Sequence, residues 1–438
     1  MNILENIWWL LVLIGVMILI HELGHYWAAR FFDVKVDVFS FGFGPRLFGF
    51  RRGETDFRFS LILFGGYVKM AGEHGAEEGS FDPRSFLAKP RWQRLIITFA
   101  GPLMNIVLAV GLVTGLYMVR YPKLPVTHSP TVGFIAKDGA AAKAGIREGD
   151  RILQIEKHNN PTWEDVSLTE LSGAGLALRV LVEREDKSQH AITLTPILDE
   201  KNGIGTAGWA EQLPVQLAQV QADMPAERAG LKQRDMLVSA NGQRIRSIPK
   251  LHEIIRGSEG KPVELVYSRD GHQSTVTVKP TFSKLDGSGR WMIGVQLESP
   301  VTFVALPFTQ ALVESWRQNV RGAGLIVQFL RGILERRMSP KSIEGPIRIA
   351  QISTEAAREG PSTFISLMAI VSLNLAIFNL LPIPILDGGA IIMLLIEILM
   401  RRDLSLAMKE AVFKVGFVFL MMVVVFVLYS DITKIMPG

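Results

Sequence analysis

His21-Glu22-Leu23-Gly24-His25 is the segment of this 438-residue chain whose residue types and spacing best suit chemistry. On a helix, positions 21 and 25 leave from one face, one turn apart. Two imidazole nitrogens can therefore reach a single divalent ion such as zinc, and Glu22 beside the first is placed to take a proton from an attacking water. A catalytic zinc takes three protein ligands and keeps a fourth position open. The chain has no cysteine, which excludes a disulfide framework and a thiolate site and leaves His, Asp or Glu for the third ligand. The candidate is Asp387, in Asn379-Leu-Leu-Pro382-Ile-Pro384-Ile-Leu-Asp387-Gly388-Gly389. It is the only acid between Glu359 and Glu397. Two prolines interrupt the helix there, and the paired glycines permit a tight turn that would aim the carboxylate at a metal. Its other reading is an N-cap for a helix from about Ala390 to Met400. His74, His128, His158, His190, His252 and His272 all fall outside the apolar stretches that must carry the site.

Those stretches are four: Ile7 to Phe32, Leu95 to Val119, Ser362 to Leu381, and Val415 to Tyr429 extended by its flanking residues. A bilayer core about 30 Å thick needs roughly 20 helical residues, so each reads as a span. A cleaved signal peptide is disfavoured for the first, which lacks a basic leader and a small-residue cleavage site. His21, Glu22 and His25 thus lie within a membrane helix, where ionisable groups face a partner or a cavity. The segment from Arg30 to Arg94 contains eleven Lys and Arg, both ends included, and Arg401, Arg402, Lys409 and Lys414 lie between the last two spans. That bias predicts cytoplasmic short loops, both termini outside, and an extracytoplasmic middle region. It places the site in the third of the bilayer nearer the cytoplasm. The net charge of +5 is modest, and no basic stripe with interleaved aromatics points to nucleic acid.

Residues 131 to 282 contain a self-match at an offset of 85: Ala144-Gly145-Ile146 with Gly149-Asp150-Arg151-Ile152-Leu153 answers to Ala229-Gly230-Leu231 with Arg234-Asp235-Met236-Leu237-Val238. Each block precedes an Asn-containing turn (His158-Asn159-Asn160; Ala240-Asn241-Gly242), a helix and two strands. Phe57 to Leu63 alternates with a period of two and reads as a strand. Trp316 to Arg337 reads as an amphipathic helix, lying on the outer membrane surface or packed against the soluble domains.

The repeat resembles PDZ domains in the circular arrangement of bacterial proteases, modules that bind extended peptides along a sheet edge. H-E-L-G-H on a first span with N-x-x-P-x-P-x-L-D-G on a later one resembles the site-2 protease family of intramembrane metalloproteases. The tandem PDZ insert resembles the bacterial type that cuts anti-sigma factors. The likeness covers nearly the whole chain. It implies zinc ligands His21, His25 and Asp387, a general base at Glu22, and substrate-backbone contacts at Asn374 and Asn379. It also implies a membrane-associated β-hairpin and loop around Gly42-Phe43-Gly44-Pro45 and Gly65-Gly66-Tyr67, with Gly345-Pro346-Ile347 matching before the third span.

The expected fold is therefore a polytopic α-helical membrane protein, with four transmembrane helices, a membrane-associated β-hairpin and two inserted extracytoplasmic α/β PDZ domains. The expected division is 1–120 (two spans and β region), 121–203 and 204–300 (PDZ copies), 301–360 (amphipathic linker) and 361–438 (two spans). The expected function is a zinc-dependent intramembrane endopeptidase of the bacterial inner membrane. Its partners would be the lipid bilayer, transmembrane substrates (a pre-cleaved anti-sigma factor and remnant signal peptides), and peptide C-termini or extended segments at the PDZ grooves. The rival is a non-catalytic membrane scaffold with PDZ peptide binding and a structural metal, which would have no use for Glu22.

Overall fold

The computed structural model describes residues 3–72, 82–123, 130–199, 204–283, 289–300, 302–335 and 345–435; His74, His128, Arg336 and Arg337 lie outside them. The chain divides into two compact units, one of residues 1–121, 304–327 and 343–438, the other of 122–303 and 328–342.

The first unit opens with α1 (Ile3–Phe31), a 29-residue helix without proline. It leads into β1 (Val36–Arg52) and β2 (Thr55–Met70). These are more than a hairpin. Phe41 pairs with both Phe59 and Gly66, and Val38 with both Asp56 and Lys69, so each strand folds back and four segments lie side by side. Gly42 (φ 93°) and Gly44 (φ 86°) bend β1 and Gly65 (φ 130°) bends β2, conformations that a side chain would strain. Gly66–Met70 becomes an outer strand, paired among the described residues only with Val36–Phe41. α2 (Arg91–Val119) starts after Pro90 and carries Pro102 in its interior; β3 (Tyr121–Lys123) follows.

In the second unit every element recurs. β4 (Val132–Ile135), α3 (Ala140–Lys143), β5 (Arg151–Ile155), β6 (His158–Asn159), α4 (Trp163–Ser172), β7 (Leu178–Glu183), β8 (Gln189–Leu194), β9 (Ile197–Asp199), β10 (Ile204–Thr206) and β11 (Trp209–Glu211) form the first copy. β12 (Val215–Val220), α5 (Pro225–Arg228), β13 (Met236–Ala240), β14 (Gln243–Arg244), α6 (Ile248–Gly257), β15 (Val263–Arg269), β16 (His272–Val278), β17 (Thr281–Ser283), β18 (Arg290–Met292) and β19 (Val295–Glu298) form the second. β6-β5-β7-β8 and β16-β15-β13-β12-β19 are the main sheets, and β11 on β4 repeats β19 on β12. The first copy therefore runs through Glu211, past the boundary expected at 203. Each copy has its own apolar core, one around Ile152, Val166 and Val180, the other around Leu237, Leu251 and Leu265.

The repeated Gly and Asp have a local cause. Gly145 and Gly230 both take φ 85°. The buried Asp150 accepts from the Arg147 N–H at 2.8 Å, and the buried Asp235 accepts from the Lys232 N–H at 2.7 Å. The turn in the first copy is not the expected His158-Asn159-Asn160, because His158 and Asn159 form β6. Glu156 (φ 51°) sits where the second copy has Asn241 (φ 47°). Its carboxylate accepts from the Arg179 N–H at 2.6 Å, as the Asn241 side chain accepts from the Glu264 N–H at 2.9 Å.

After β20 (Thr302–Val304) the chain returns to the first unit with α7 (Phe308–Leu334), α8 (Pro346–Glu359), α9 (Pro361–Asn379), α10 (Asp387–Met400) and α11 (Leu406–Ile435). α7 touches α2: the buried Ser315 donates to the Val110 carbonyl at 2.8 Å, nine residues inside the end of α2. The N-terminus of α8 is capped by Asp431 of α11, whose carboxylate accepts from the Gly345, Ile347 and Arg348 N–H groups at 3.0 to 3.4 Å. α1, α2, α9 and residues 407–433 of α11 are long and apolar enough to cross a membrane. α11 exposes an almost continuous row of apolar side chains, as suits a helix in lipid.

Candidate metal centre

α1 carries His21 and His25 on a buried face, their Nε2 atoms 3.2 Å apart. The Asp387 carboxylate meets both, with Oδ2 at 3.0 Å from His21 Nε2 and Oδ1 at 3.5 Å from His25 Nε2. Three lone-pair donors from residues 366 positions apart in sequence thus converge within 4.8 Å. Asp387 is the first residue of α10, and Leu386, extended at φ −94° and ψ 164°, is the N-cap. The carboxylate is therefore spent on the histidines and not on capping. Gly388 and Gly389 act differently from the expected turn: neither has a left-handed φ. Instead, a Cβ at either would overlap the carbonyls of Leu380, Leu381 or Ile383, so the glycines let α10 start flush against the broken end of α9.

The donor set fits a tetrahedral ion. Zinc bonds of about 2.0–2.1 Å place tetrahedral ligand atoms roughly 3.3 Å apart, in the middle of the observed range. His25 Nδ1 lies 2.9 Å from the Ile97 carbonyl. A carbonyl only accepts, so Nδ1 holds the proton and Nε2 presents a lone pair to the centre. On the other ring, His21 Nδ1 faces the Asn105 side-chain amide at 3.2 Å.

Gly24, Gly101 and Asn105 contribute in ways that were not read from the sequence. Gly24 and Gly101 remove the side chains that would separate α1 from α2: a Cβ on Gly24 would overlap the Ala100 carbonyl, and one on Gly101 would overlap the His25 ring. Gly101 and Asn105 stand four apart in an apolar span, and that spacing was the available signal. Of Gly65, Gly66 and Tyr67, Gly66 is the one placed against Glu22; a Cβ there would lie 3.0 Å from Glu22 Cγ. Gly65 and Tyr67 instead pack with Phe43, which covers the former and stacks on the latter at 6.0 Å. Asn374 and Asn379 lie half-buried on the last turns of α9. The structure does not bring either into hydrogen bonding with His21, His25 or Asp387.

The model of peptidase family M50 matches residues 9–423, nearly the whole chain and every residue of the centre. The chain belongs to peptidase family M50. A Xylella fastidiosa protein named "Putative zinc metalloprotease" is 32% identical over 452 residues, covering 98% of each chain. The regulator of sigma-E protease of Salmonella typhimurium is 29% identical over 457 residues, covering 99% of this chain and 100% of that protein. Among solved structures, the PDZ domain of an SdrC-like protein from Listeria monocytogenes matches 19% of this chain and 85% of its own length. That match is at 24% identity with a TM-score of 0.18, too slight to decide the fold of the repeats. Membership in M50 and four membrane-length apolar helices together make this a membrane-protein peptidase by family.

Proposed function

We propose that the chain is a zinc-dependent intramembrane endopeptidase in which His21, His25 and Asp387 hold the metal and Glu22 is the general base. The convergence of those three donors, two on a helix long and apolar enough to cross a membrane and the third just beyond the end of another, is the observation that supports it. Bound zinc would polarise the scissile carbonyl and lower the pKa of the attacking water. Glu22 takes the water's proton and delivers it to the leaving nitrogen, atom for atom completing hydrolysis of the peptide bond. A helical substrate must unwind to expose that bond. The outer strand that begins at Gly66, next to Glu22, would present its outer edge to an extended segment. Asn374 and Asn379 would satisfy the remaining amides, which are costly to leave unpaired away from water.

The repeats are read as two PDZ modules outside the cell's inner membrane, the short loops as cytoplasmic, and the centre as nearer the cytoplasmic face. A relative named for regulating sigma-E supports a pre-cleaved anti-sigma factor, with remnant signal peptides, as substrate. The two modules differ in their grooves. α6 and β19 flank an open cleft of about 230 Å³ lined by Leu251, Ile255, Ile293 and Val295. In the first copy Glu170, which stands 85 residues before Ile255, accepts from the Ala207 N–H and the Trp209 indole and closes α4 onto that side. Extended segments would therefore dock on the second module.

Glu22→Gln tests the mechanism. It should lower cleavage of a transmembrane reporter at least about 100-fold while leaving zinc content unchanged. Cleavage at the wild-type rate by that variant would refute the assignment.

A further inference from the structure

The α2 helix meets the two histidines with one stripe of residues four apart: the Ile97 carbonyl at His25, Gly101 against both rings, and Asn105 at His21. Ile97 fixes the tautomer of His25 because a carbonyl can only accept. Asn105 has no such constraint, since its side chain offers an acceptor at one end and a donor at the other. It is fully buried, with Nδ2 toward His21 Nδ1 and Oδ1 without a partner. In that orientation the amide donates to Nδ1. The ring proton then sits on Nε2, pointing at His25 and Asp387, and His21 cannot offer a lone pair. Oxygen and nitrogen of a carboxamide are nearly the same size and exchange by a half-turn. The half-turn moves Oδ1 from a place without a partner to one facing an N–H, and turns the Nε2 lone pair toward the other two donors.

We infer that Asn105 is a positioning residue for the metal: its carboxamide oxygen accepts the Nδ1 proton of His21 and so sets the tautomer that presents Nε2. The inference rests on the reading of His21 as a ligand. Asn105 is itself held from behind, because the fully buried Ser372 of α9 donates to its backbone carbonyl at 2.8 Å. α2 thereby braces both ligands of α1 with acceptors, one from the backbone and one from a side chain. Partners of this kind set the orientation and basicity of ligating histidines and affect metal affinity by about 10–100-fold.

The test measures zinc affinity by chelator competition on full-length protein in detergent, with the melting temperature of each metal-free variant recorded alongside. Asn105→Leu, similar in size and unable to accept, should weaken zinc binding about 10–100-fold. Asn105→Asp, which retains an acceptor and has no N–H, should bind within about threefold of wild type, on the same reasoning. A merely structural role would lower melting temperature and leave affinity in the folded protein unchanged. If the aspartate variant binds as weakly as the leucine variant, the amide acts as a donor and the inference is overturned; wild-type affinity for the leucine variant overturns it equally. Should Asn105→Leu not fold, Asn105→Ala takes its place. His21→Ala reports separately on the underlying reading: zinc bound as tightly as in wild type would remove His21 from the ligand set, and this inference with it.

Discussion

Gly101 of α2 lies so close to His25 of α1 that a single added methyl group would overlap the imidazole Nε2 and stand 2.8 Å from His21 Nε2. The proposed metal centre thus depends on a side chain that is absent. Helices approach this closely in membranes where small residues line the contact. Here the small residue faces ligands, so its replacement displaces them and not only the helix. Gly101→Ala should lower zinc content below stoichiometric and reduce cleavage at least about 100-fold, the scale of an ångström-level misplacement. Gly111→Ala on the same helix meets nothing within 4 Å and should leave both unchanged. Equal effects of the two substitutions would show that α2 merely tolerates no added bulk.

Gly66 makes the corresponding contact with Glu22, the proposed general base. A Cβ there would lie 3.0 Å from Glu22 Cγ and 2.8 Å from Ile18 Cγ2, tighter than ordinary packing. Gly66→Val should push Glu22 without touching His21, His25 or Asp387. The expected result is a kcat lowered about 10–100-fold with zinc content at the wild-type level, measured by metal analysis beside single-turnover cleavage. Loss of zinc in this variant would mean that the strand supports the ligands themselves.

The convergence of His21, His25 and Asp387 was legible in the sequence because these residues sit on short motifs. His21, Glu22 and His25 needed only helical spacing, and Asp387 was marked by the prolines before it. Gly101 and Asn105 were not legible, because which face of α2 meets α1 is decided by helix pairing across some eighty residues. The same limit applies to α7. Its amphipathic pattern predicts a surface, but the pattern does not say that Ser315 would find the Val110 carbonyl. The repeat was legible through its Gly and Asp signature. Its turn in the first copy was misplaced because Glu156 performs with a carboxylate what Asn241 performs with an amide, a substitution that no turn propensity favours.

A second buried polar group, outside the centre, holds the helix that delivers Asp387. Glu397 of α10 is fully buried, 3.6 Å from the Arg94 guanidinium of α2 and 2.6 Å from the Lys409 ammonium of α11. The Leu404 N–H also donates to it at 3.0 Å. Removing the Glu397 charge leaves the buried Arg94 with Asp403, at 2.8 Å, as its remaining counter-charge, at a cost of about 3 kcal/mol. Glu397→Gln should therefore destabilise the protein by that amount, read by thermal or denaturant unfolding in detergent. Combining it with Arg94→Gln should recover part of the loss. A double variant whose loss is the full sum of the singles would show that the two groups do not interact.

Glu170 supplies a pH dependence of known sign. Burial beneath the 207–209 segment raises its carboxyl pKa from the ordinary 4.5, although the Ala207 N–H and the Trp209 indole both donate to it and pull the other way. A group with its folded pKa above its unfolded one binds its proton more tightly when folded. Its contribution to stability is thus fully present below about pH 4.3–4.5 and is lost as pH rises through the folded value. Glu170→Gln removes the titration. The stability of wild type relative to Glu170→Gln should accordingly fall as pH is raised from about 4 to about 7, with Trp209 fluorescence reporting unfolding of the first module. A relative stability that instead grew with pH would mean that the two hydrogen bonds outweigh burial and hold the carboxylate ionised in the folded protein.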